Sequence, residues 1–422
     1  MKMKRYAIFI LLFINLSYGI TIDDAVKRAK EYLPLYYQSL SDFRSYFYTY
    51  RSSISEFFPS LSYEFSYTKY NDKNPYNYSS RNQSLSLRWS IYNSGYRYFN
   101  YRSALHSYRA LKYTLNEVVL DIVFQVKYAY LKSAAAKERL KFRNIQFKAA
   151  KADYELAIDK KKLGLVKKSD VLQAKVRFEN AKYNLVQAEN EYRKSIAELN
   201  SLIGFPLNNN TEIDTSILEK YTQNRFPDFE KLKNIAFRTR PKIKGFVENI
   251  KAVEESSKIY LFQYTPSLDI FYSLNNSYSG LYGKDRYSYY GITLNWTIFS
   301  GLKRYYNYLS SKEKERYNRY ALKEVKRNIE LNLFKKNEDL KTAYTKLELA
   351  RTILEQAEIN YKQVLGEYRA GTSDIIALLT AESSLASAHE TYVQSILEVA
   401  LTKISIEREL GVEDINTVWG NR

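Results

Sequence analysis

The sequence predicts a mainly α-helical chain built as a tandem repeat, each repeat carrying one hairpin of amphipathic β-strands. Three observations predict it. Five residues recur 207 positions apart: Pro59 and Pro266, Trp89 and Trp296, Gly164 and Gly371, Ala174 and Ala381, Gly204 and Gly411. Short stretches alternate apolar and polar residues. Between them no proline occurs from 76 to 205 or after 266, and no glycine from 96 to 163 or from 302 to 365. Self-similarity at a fixed period marks a repeated architecture. The absence of both strong helix breakers permits helices of about 65 residues, roughly 100 Å each.

Taken in order, residues 1–19 have a basic start, a short apolar stretch and small residues at Ser17 and Gly19. That is the layout of a secretory signal peptide, and the apolar stretch is too short to span a bilayer. The first repeat occupies 20–206, with a strand hairpin at about 60–93, a long helix, a tip at about 163–169 and a returning helix. Residues 207–227 link the repeats. The second repeat occupies 228–411, with its hairpin at about 267–299 and its tip at about 370–373, and 412–422 form a tail. The alignment of SIYNSG with TIFSG suggests a single gap there, compensated before Gly164.

In the first hairpin Leu61, Tyr63, Phe65 and Tyr67 alternate with polar residues, as do Leu85, Leu87, Trp89 and Ile91. In the second, Leu268, Ile270, Tyr272 and Leu274 do the same, followed by Ile292, Leu294, Trp296 and Ile298. One face apolar and one polar is the period-two signature, and such segments with aromatic ends suit lipid-facing barrel strands. Trp89, Trp296, Tyr63 and Tyr272 are the expected membrane-barrel aromatics.

The helices carry a three-four stripe through Leu340, Ala343, Leu347, Ala350, Leu354, Ala357, Tyr361, Val364 and Tyr368, and again through Leu378, Ala381, Leu385 and Ala388. A sustained stripe of this kind packs helices at a shallow angle. Each long helix should stop at a left-handed glycine, Gly164 or Gly371. The next helix is then capped by Ser169 or Asp170 in the first repeat and by Thr372 or Ser373 in the second.

Composition narrows the function. There is no cysteine, which removes disulfides, thiolate metal sites and cysteine nucleophiles. Only His106 and His389 could serve a histidine triad or metal site. No nucleophile elbow, P-loop or dinucleotide fingerprint follows a strand. These features argue against an enzyme and require no cofactor. The net charge of +19 is spread along helices among acids, which reads as solvated faces rather than a nucleic-acid footprint. Forty-two tyrosines suit boundaries between water and something apolar.

Four strands cannot close a barrel, for which about eight is the practical minimum. An open sheet edge is not tolerated in lipid. The strands must therefore close between copies of the chain, two copies giving eight strands and three giving twelve.

The whole mature chain resembles the TolC-like outer-membrane efflux proteins. TIDDAVKRAKEYLP resembles their opening helix, FPSLS and TPSLD the starts of their strands, and KLGLVKKSDVLQA and YRAGTSDIIALLTA their two helix-turn-helix tips. The resemblance implies a homotrimer with a twelve-stranded barrel in outer-membrane lipid and a helical tube in the periplasm, the linker joining a collar outside the tube. It implies an exit duct for efflux or type I secretion, served by a periplasmic adaptor and an inner-membrane RND, ABC or similar transporter, and opened by iris-like movement of the tips. No nucleic acid is involved.

Carried over by position, Tyr368 and Asp170 match two members of the family's periplasmic latch, while Ser373 replaces its arginine. The family's constriction aspartates fall at Ala377 and Thr380, leaving Asp374 as the nearest acid. The resemblance therefore implies a looser resting gate with weaker cation selectivity. Gly164, Leu165, Val166, Lys167, Lys168, Gly371 and Thr372 are the expected adaptor-contacting tip residues. Lys160, Lys161 and Lys162 join Lys167 and Lys168 in a basic crown, which steers acidic partners or simply complements a helix C-terminus. A structural coiled-coil or adhesin-like surface protein is the alternative, and it leaves the matched strand hairpins unexplained.

Overall fold

The computed structural model describes residues 19–70, 78–223, 228–280 and 282–415. The expected leader, except Gly19, and the tail beyond residue 415 lie outside the described residues. The first repeat comprises α1 (Ile22–Tyr32), α2 (Pro34–Ser55), β1 (Ser60–Tyr70), β2 (Tyr78–Asn93), α3 (Tyr96–Lys162) and α4 (Lys168–Ile203). A short helix, α5 (Ile217–Gln223), lies in the linker. The second repeat comprises α6 (Phe229–Thr239), α7 (Pro241–Phe262), β3 (Ser267–Ser279), β4 (Gly283–Asn295), α8 (Lys303–Ala370) and α9 (Ile375–Leu410).

The repeat is kept to the residue. Elements begin at Ile22 and Phe229, Pro34 and Pro241, Ser60 and Ser267, Tyr96 and Lys303, and Lys168 and Ile375, each pair 207 apart. The left-handed pairs before the long helices obey the same spacing: Ser94 (φ 53°) with Gly95 (φ 70°), and Gly301 (φ 62°) with Leu302 (φ 62°). The gap suggested by SIYNSG and TIFSG is therefore absent. Both turns hold two left-handed residues, and glycine has only exchanged places within them. Ser94 and Leu302 are the strained members, because a Cβ crowds the carbonyl in this conformation.

The described chain falls into two compact units that cut across the repeats. One contains α1, α4, α5, α9, the start of α6 and the later parts of α3 and α8. Its core holds Ile122, Val126, Tyr130, Leu131, Leu199, Ile203, Ile404 and Leu410, all essentially inaccessible. Tyr130 is satisfied at its polar end: its hydroxyl donates to the Ile20 carbonyl at 2.8 Å and accepts from the Asp214 N–H at 3.0 Å. The seam expected on α8 is buried from Leu340 to Ala350 and half-buried from Leu354 to Tyr368.

Residues 411–415 are tied into this unit by charge. Lys127, one tenth exposed, donates to Glu407 at 2.8 Å and to the Glu413 carbonyl, and Lys30 pairs with Glu413 at 2.7 Å. Lys403 donates to the Tyr221 carbonyl and lies 5.4 Å from the Tyr344 ring. Burial lowers its pKa to about 8, while burial raises that of Glu407.

The second unit contains α2, α7, most of α6, the early parts of α3 and α8, and the sheet. The sheet is antiparallel in the order β1-β2-β3-β4, so the two hairpins pair through β2 and β3. Tyr63 lies opposite Leu85, Leu85 opposite Leu274, and Tyr272 opposite both Leu87 and Tyr290, which gathers them on one face. Ser62, Ser86, Ser273 and Tyr289 fall in one row of the other face. Leu61, Tyr63, Tyr290 and Ile292 are each more than 60% exposed in the single chain, an apolar sheet face left uncovered.

Within the described residues β1 and β4 are edge strands, with no partner beyond β2 and β3. This accounts for one departure from the sequence reading. The period-two pattern extends through Trp296 and Ile298, but β4 ends at Asn295. Its counterpart β2 reaches Asn93 because β3 pairs with it there, whereas the end of β4 finds no ladder in its own chain.

Candidate functional site: helix tips and strand-helix junctions

At both tips the helix stops as the sequence predicts and restarts differently. Gly164 (φ 76°) and Gly371 (φ 80°) are left-handed, and the N–H groups of Leu165 and Thr372 reach back to the carbonyls of Lys160 and Glu367. These are glycine C-caps that satisfy orphan carbonyls. In the first repeat the residue before the helix is Lys167, and Asp170 sits inside the first turn, accepting from the Lys167 N–H at 3.0 Å and from the Ser169 hydroxyl at 3.1 Å. In the second, Asp374 is the cap and accepts from the Ala377 N–H at 2.8 Å. Neither expected first-repeat cap, Ser169 or Asp170, takes the cap position, because the helix starts earlier, at Lys168. In the second repeat Thr372 and Ser373 give way to Asp374, whose carboxylate meets the orphan donor with a full negative charge.

The other expected site residues take definite places. Leu165, Lys167, Lys168, Gly371 and Thr372 are exposed, and Val166, Ser373 and Ala377 are half-buried. The Thr380 hydroxyl turns back onto the Ile376 carbonyl at 2.9 Å. Lys162 pairs with Asp159 at 2.9 Å, so part of the basic crown is already neutralised.

Tyr368 feels the charges of Asp153, Arg177 and Asp170, and the first two belong to a cluster that sequence reasoning missed. Arg177, buried on α4, donates to Glu382 of α9 and to Asp153 of α3, the latter at 2.7 Å. Arg369 approaches Asp153 at 3.9 Å. Burial raises the pKa of Tyr361 and Tyr368, which face this cluster. Burial opposes the charge of Arg177, but the hydrogen bond and charge of Glu382, then those of Asp153, raise its pKa above the ordinary guanidinium value. One guanidinium thus joins both helix pairs. Its acids lie 24 and 205 residues away, beyond any local pattern.

The strand-helix junctions form a second constellation, present in both repeats. The Trp89 indole donates to the Phe57 carbonyl at 3.1 Å, and the Trp296 indole to the Tyr264 carbonyl at 3.0 Å. The Arg97 guanidinium lies 5.2 Å from the Phe57 ring, and that of Arg304 5.3 Å from the Tyr264 ring. All three residue pairs, Trp89 and Trp296, Phe57 and Tyr264, and Arg97 and Arg304, obey the 207 spacing. Trp89 sits on the apolar face of the sheet and Trp296 directly after the end of β4, each with its one polar atom tied to the turn that follows the preceding helix, the arrangement an interfacial indole favours.

Among the described residues no His, Cys, Asp or Glu group is placed to hold a metal ion. No described helix is long and apolar enough to cross a membrane.

The family profile described as Outer membrane efflux protein matches residues 40–205 and 239–412. No curated protein matches the chain in sequence. In structure it is similar to CusC, with a TM-score of 0.77 at 13% identity, covering 95% of this chain and 96% of that one. It is similar to the open state of the Neisseria gonorrhoeae MtrE channel (TM-score 0.77, 15% identity, 93% and 89% covered). It is similar to VceC of Vibrio cholerae as well (TM-score 0.74, 13% identity, 93% and 96% covered). The chain belongs to the outer membrane efflux protein family. It has the TolC-like fold and is an outer-membrane efflux channel protein.

Proposed function

We propose that three copies close a twelve-stranded barrel and that the resulting duct is the exit of a tripartite efflux or type I secretion system. One observation carries this reading: a four-stranded sheet with an uncovered apolar face and two unpaired edges, in a chain of this family. Unpaired edge N–H and C=O groups cost several kcal/mol each in hydrocarbon, about enough to make closure by further copies compulsory. The duct does no chemistry of its own. A periplasmic adaptor engages the tips around Gly164–Lys168 and Gly371–Thr372, and an inner-membrane transporter supplies the energy.

The gate on this reading is held within each chain by Arg177, which takes the place of the latch arginine that Ser373 lacks. Its opening separates the α3–α4 pair from the α8–α9 pair. With Ala377 and Thr380 uncharged and Asp374 engaged as a cap, the constriction selects weakly for cations. The free lysines of the first tip, Lys167 and Lys168, steer acidic adaptor surfaces. The test is planar-bilayer recording with wild type and Arg177→Met. A small resting conductance that rises several-fold in the variant supports the reading. Identical resting conductance in both refutes the gate, and no conductance at all refutes the duct.

A further inference from the structure

The polar face of the sheet, the lumen side on the reading above, is mostly serine and asparagine. Rings interrupt it at two places: Tyr70 and Tyr78 stack on each other at 4.6 Å where β1 and β2 approach their turn, and a second group stands on β3 and β4. Phe271 of β3 and Tyr287 and Tyr289 of β4 stand on this face. The rings of Tyr287 and Tyr289 are near-parallel at 6.1 Å and 21°. Phe271 meets Tyr289 edge-on at 5.8 Å and 69°. The ring of Phe271 can lie there because its cross-strand neighbour is Gly291: a Cβ at that position would approach the ring's Cζ to 2.8 Å. Tyr287 and Tyr289 remain about half exposed, so their faces are not used up by packing in the chain.

The repeat sharpens the observation. The residues 207 positions earlier are Glu64, Ser80, Asn82 and Ser84, so nothing in the fold requires rings or a glycine here. Charge on the same face is unequal. Asp269 and Asp285 lie two residues before Phe271 and Tyr287, and Glu64 lies on β1. Arg88, opposite Phe271, is the only base on this face within the described strands.

We propose that this aromatic corner is a contact site for planar aromatic cations passing through the barrel. A flat ring laid on Tyr289 meets the edge of Phe271, the face-plus-edge geometry that aromatic quadrupoles prefer. A positive charge on that ring gains from the same ring faces and from Asp285. An aliphatic cation lacks the stacking, and an aromatic anion meets the excess of acids. The site rests on the lumen reading of the polar face and adds to it a ligand class.

The test uses the full chain in detergent, with N-methylquinolinium as probe, titrated by saturation-transfer NMR, and conductance measured on the same preparation. Tyr287→Ser with Tyr289→Ser should weaken binding about three- to tenfold, the loss of one or two stacking contacts. Tyr290→Ser, on the opposite face, should leave it unchanged. Asp285→Asn should weaken binding by about two- to threefold while leaving the rings in place, which keeps the test open if the double variant does not assemble. Equal affinity for 2-naphthalenesulfonate, for cyclohexyltrimethylammonium or for maltotriose would overturn the proposal, as would unchanged binding in the double variant. A conducting preparation that binds no quinolinium removes the site and leaves the duct. One that does not conduct removes the reading beneath it.

Discussion

The same seam is built twice in this molecule, from opposite materials. Between α2 and α3, Tyr108 stacks on Phe43 at 5.0 Å and on Tyr50 at 5.8 Å, with Phe47 at 5.6 Å, and Tyr101 continues the ladder to Phe57. Between α7 and α8 the corresponding positions are Glu315, Ile250, Ser257 and Glu254. There Arg319 pairs with Glu254 and with Glu315, the latter at 3.1 Å, and Lys312 pairs with Glu315 at 2.9 Å. Tyr308, matching Tyr101, and Tyr264, matching Phe57, keep their aromatic places. The junctions a few residues away do not diverge: Trp, Arg and aromatic ring recur in both repeats at matching distances. Helix-helix packing needs filled volume and satisfied charge, which rings or ion pairs can both supply. A strand-helix joint must fix one indole and one carbonyl, and that geometry admits fewer solutions.

The contrast can be broken experimentally. The largest effect is expected where ion pairs are most buried, in the other unit. Arg177→Met strands Asp153 and Glu382 without their cation and should destabilise by about 3–5 kcal/mol, read as a lower thermal midpoint in detergent. Adding Asp153→Asn and Glu382→Gln should restore part of it. Tyr108→Ala removes the centre of the aromatic ladder and should cost about 3 kcal/mol, nearly independent of salt. Trp89→Phe and Trp296→Phe each delete one hydrogen bond and should each cost about 1 kcal/mol. Unequal losses would show that the two junctions are not equivalent. Arg319→Ala opens an exposed ion pair and should cost less than about 1 kcal/mol, vanishing at high salt. A salt-insensitive loss there would contradict the ionic account of the second seam.

A pH-dependent prediction comes from His389, stacked on Phe142 at 3.8 Å and 6°. Burial lowers its pKa to about 4 from the ordinary imidazole value of 6.5. The unfolded chain therefore binds the proton first. Its contribution is present above pH 6.5 and is lost as pH falls towards 4. Melting curves should show this slope in wild type and a flatter one in His389→Gln.

The fold was legible because it is written in periodicity. Pro59 and Pro266, the tryptophans and the tip glycines fixed the repeat, and alternation fixed the strands. The illusory gap at SIYNSG arose because glycine marks a left-handed residue but not which of two it occupies; Ser94 and Leu302 carry the other. The caps were misread because the first returning helix starts at Lys168, before either candidate, and because Asp374 follows Thr372 and Ser373 directly and sequence alone does not rank the three. Arg177 was hidden for a different reason. Its partners lie on two other helices, and only tertiary packing brings Asp153 and Glu382 to one guanidinium. The aromatic corner was invisible until the register placed Phe271 against Gly291.

The most direct test concerns the sheet edges. Cysteine pairs placed on β1 and β4, in detergent-extracted outer membranes under oxidising conditions, should link chains into dimers and then trimers and no further, in a preparation that conducts. A species that stays monomeric in aqueous buffer without detergent, forms no links between these edges and opens no pore would contradict the account.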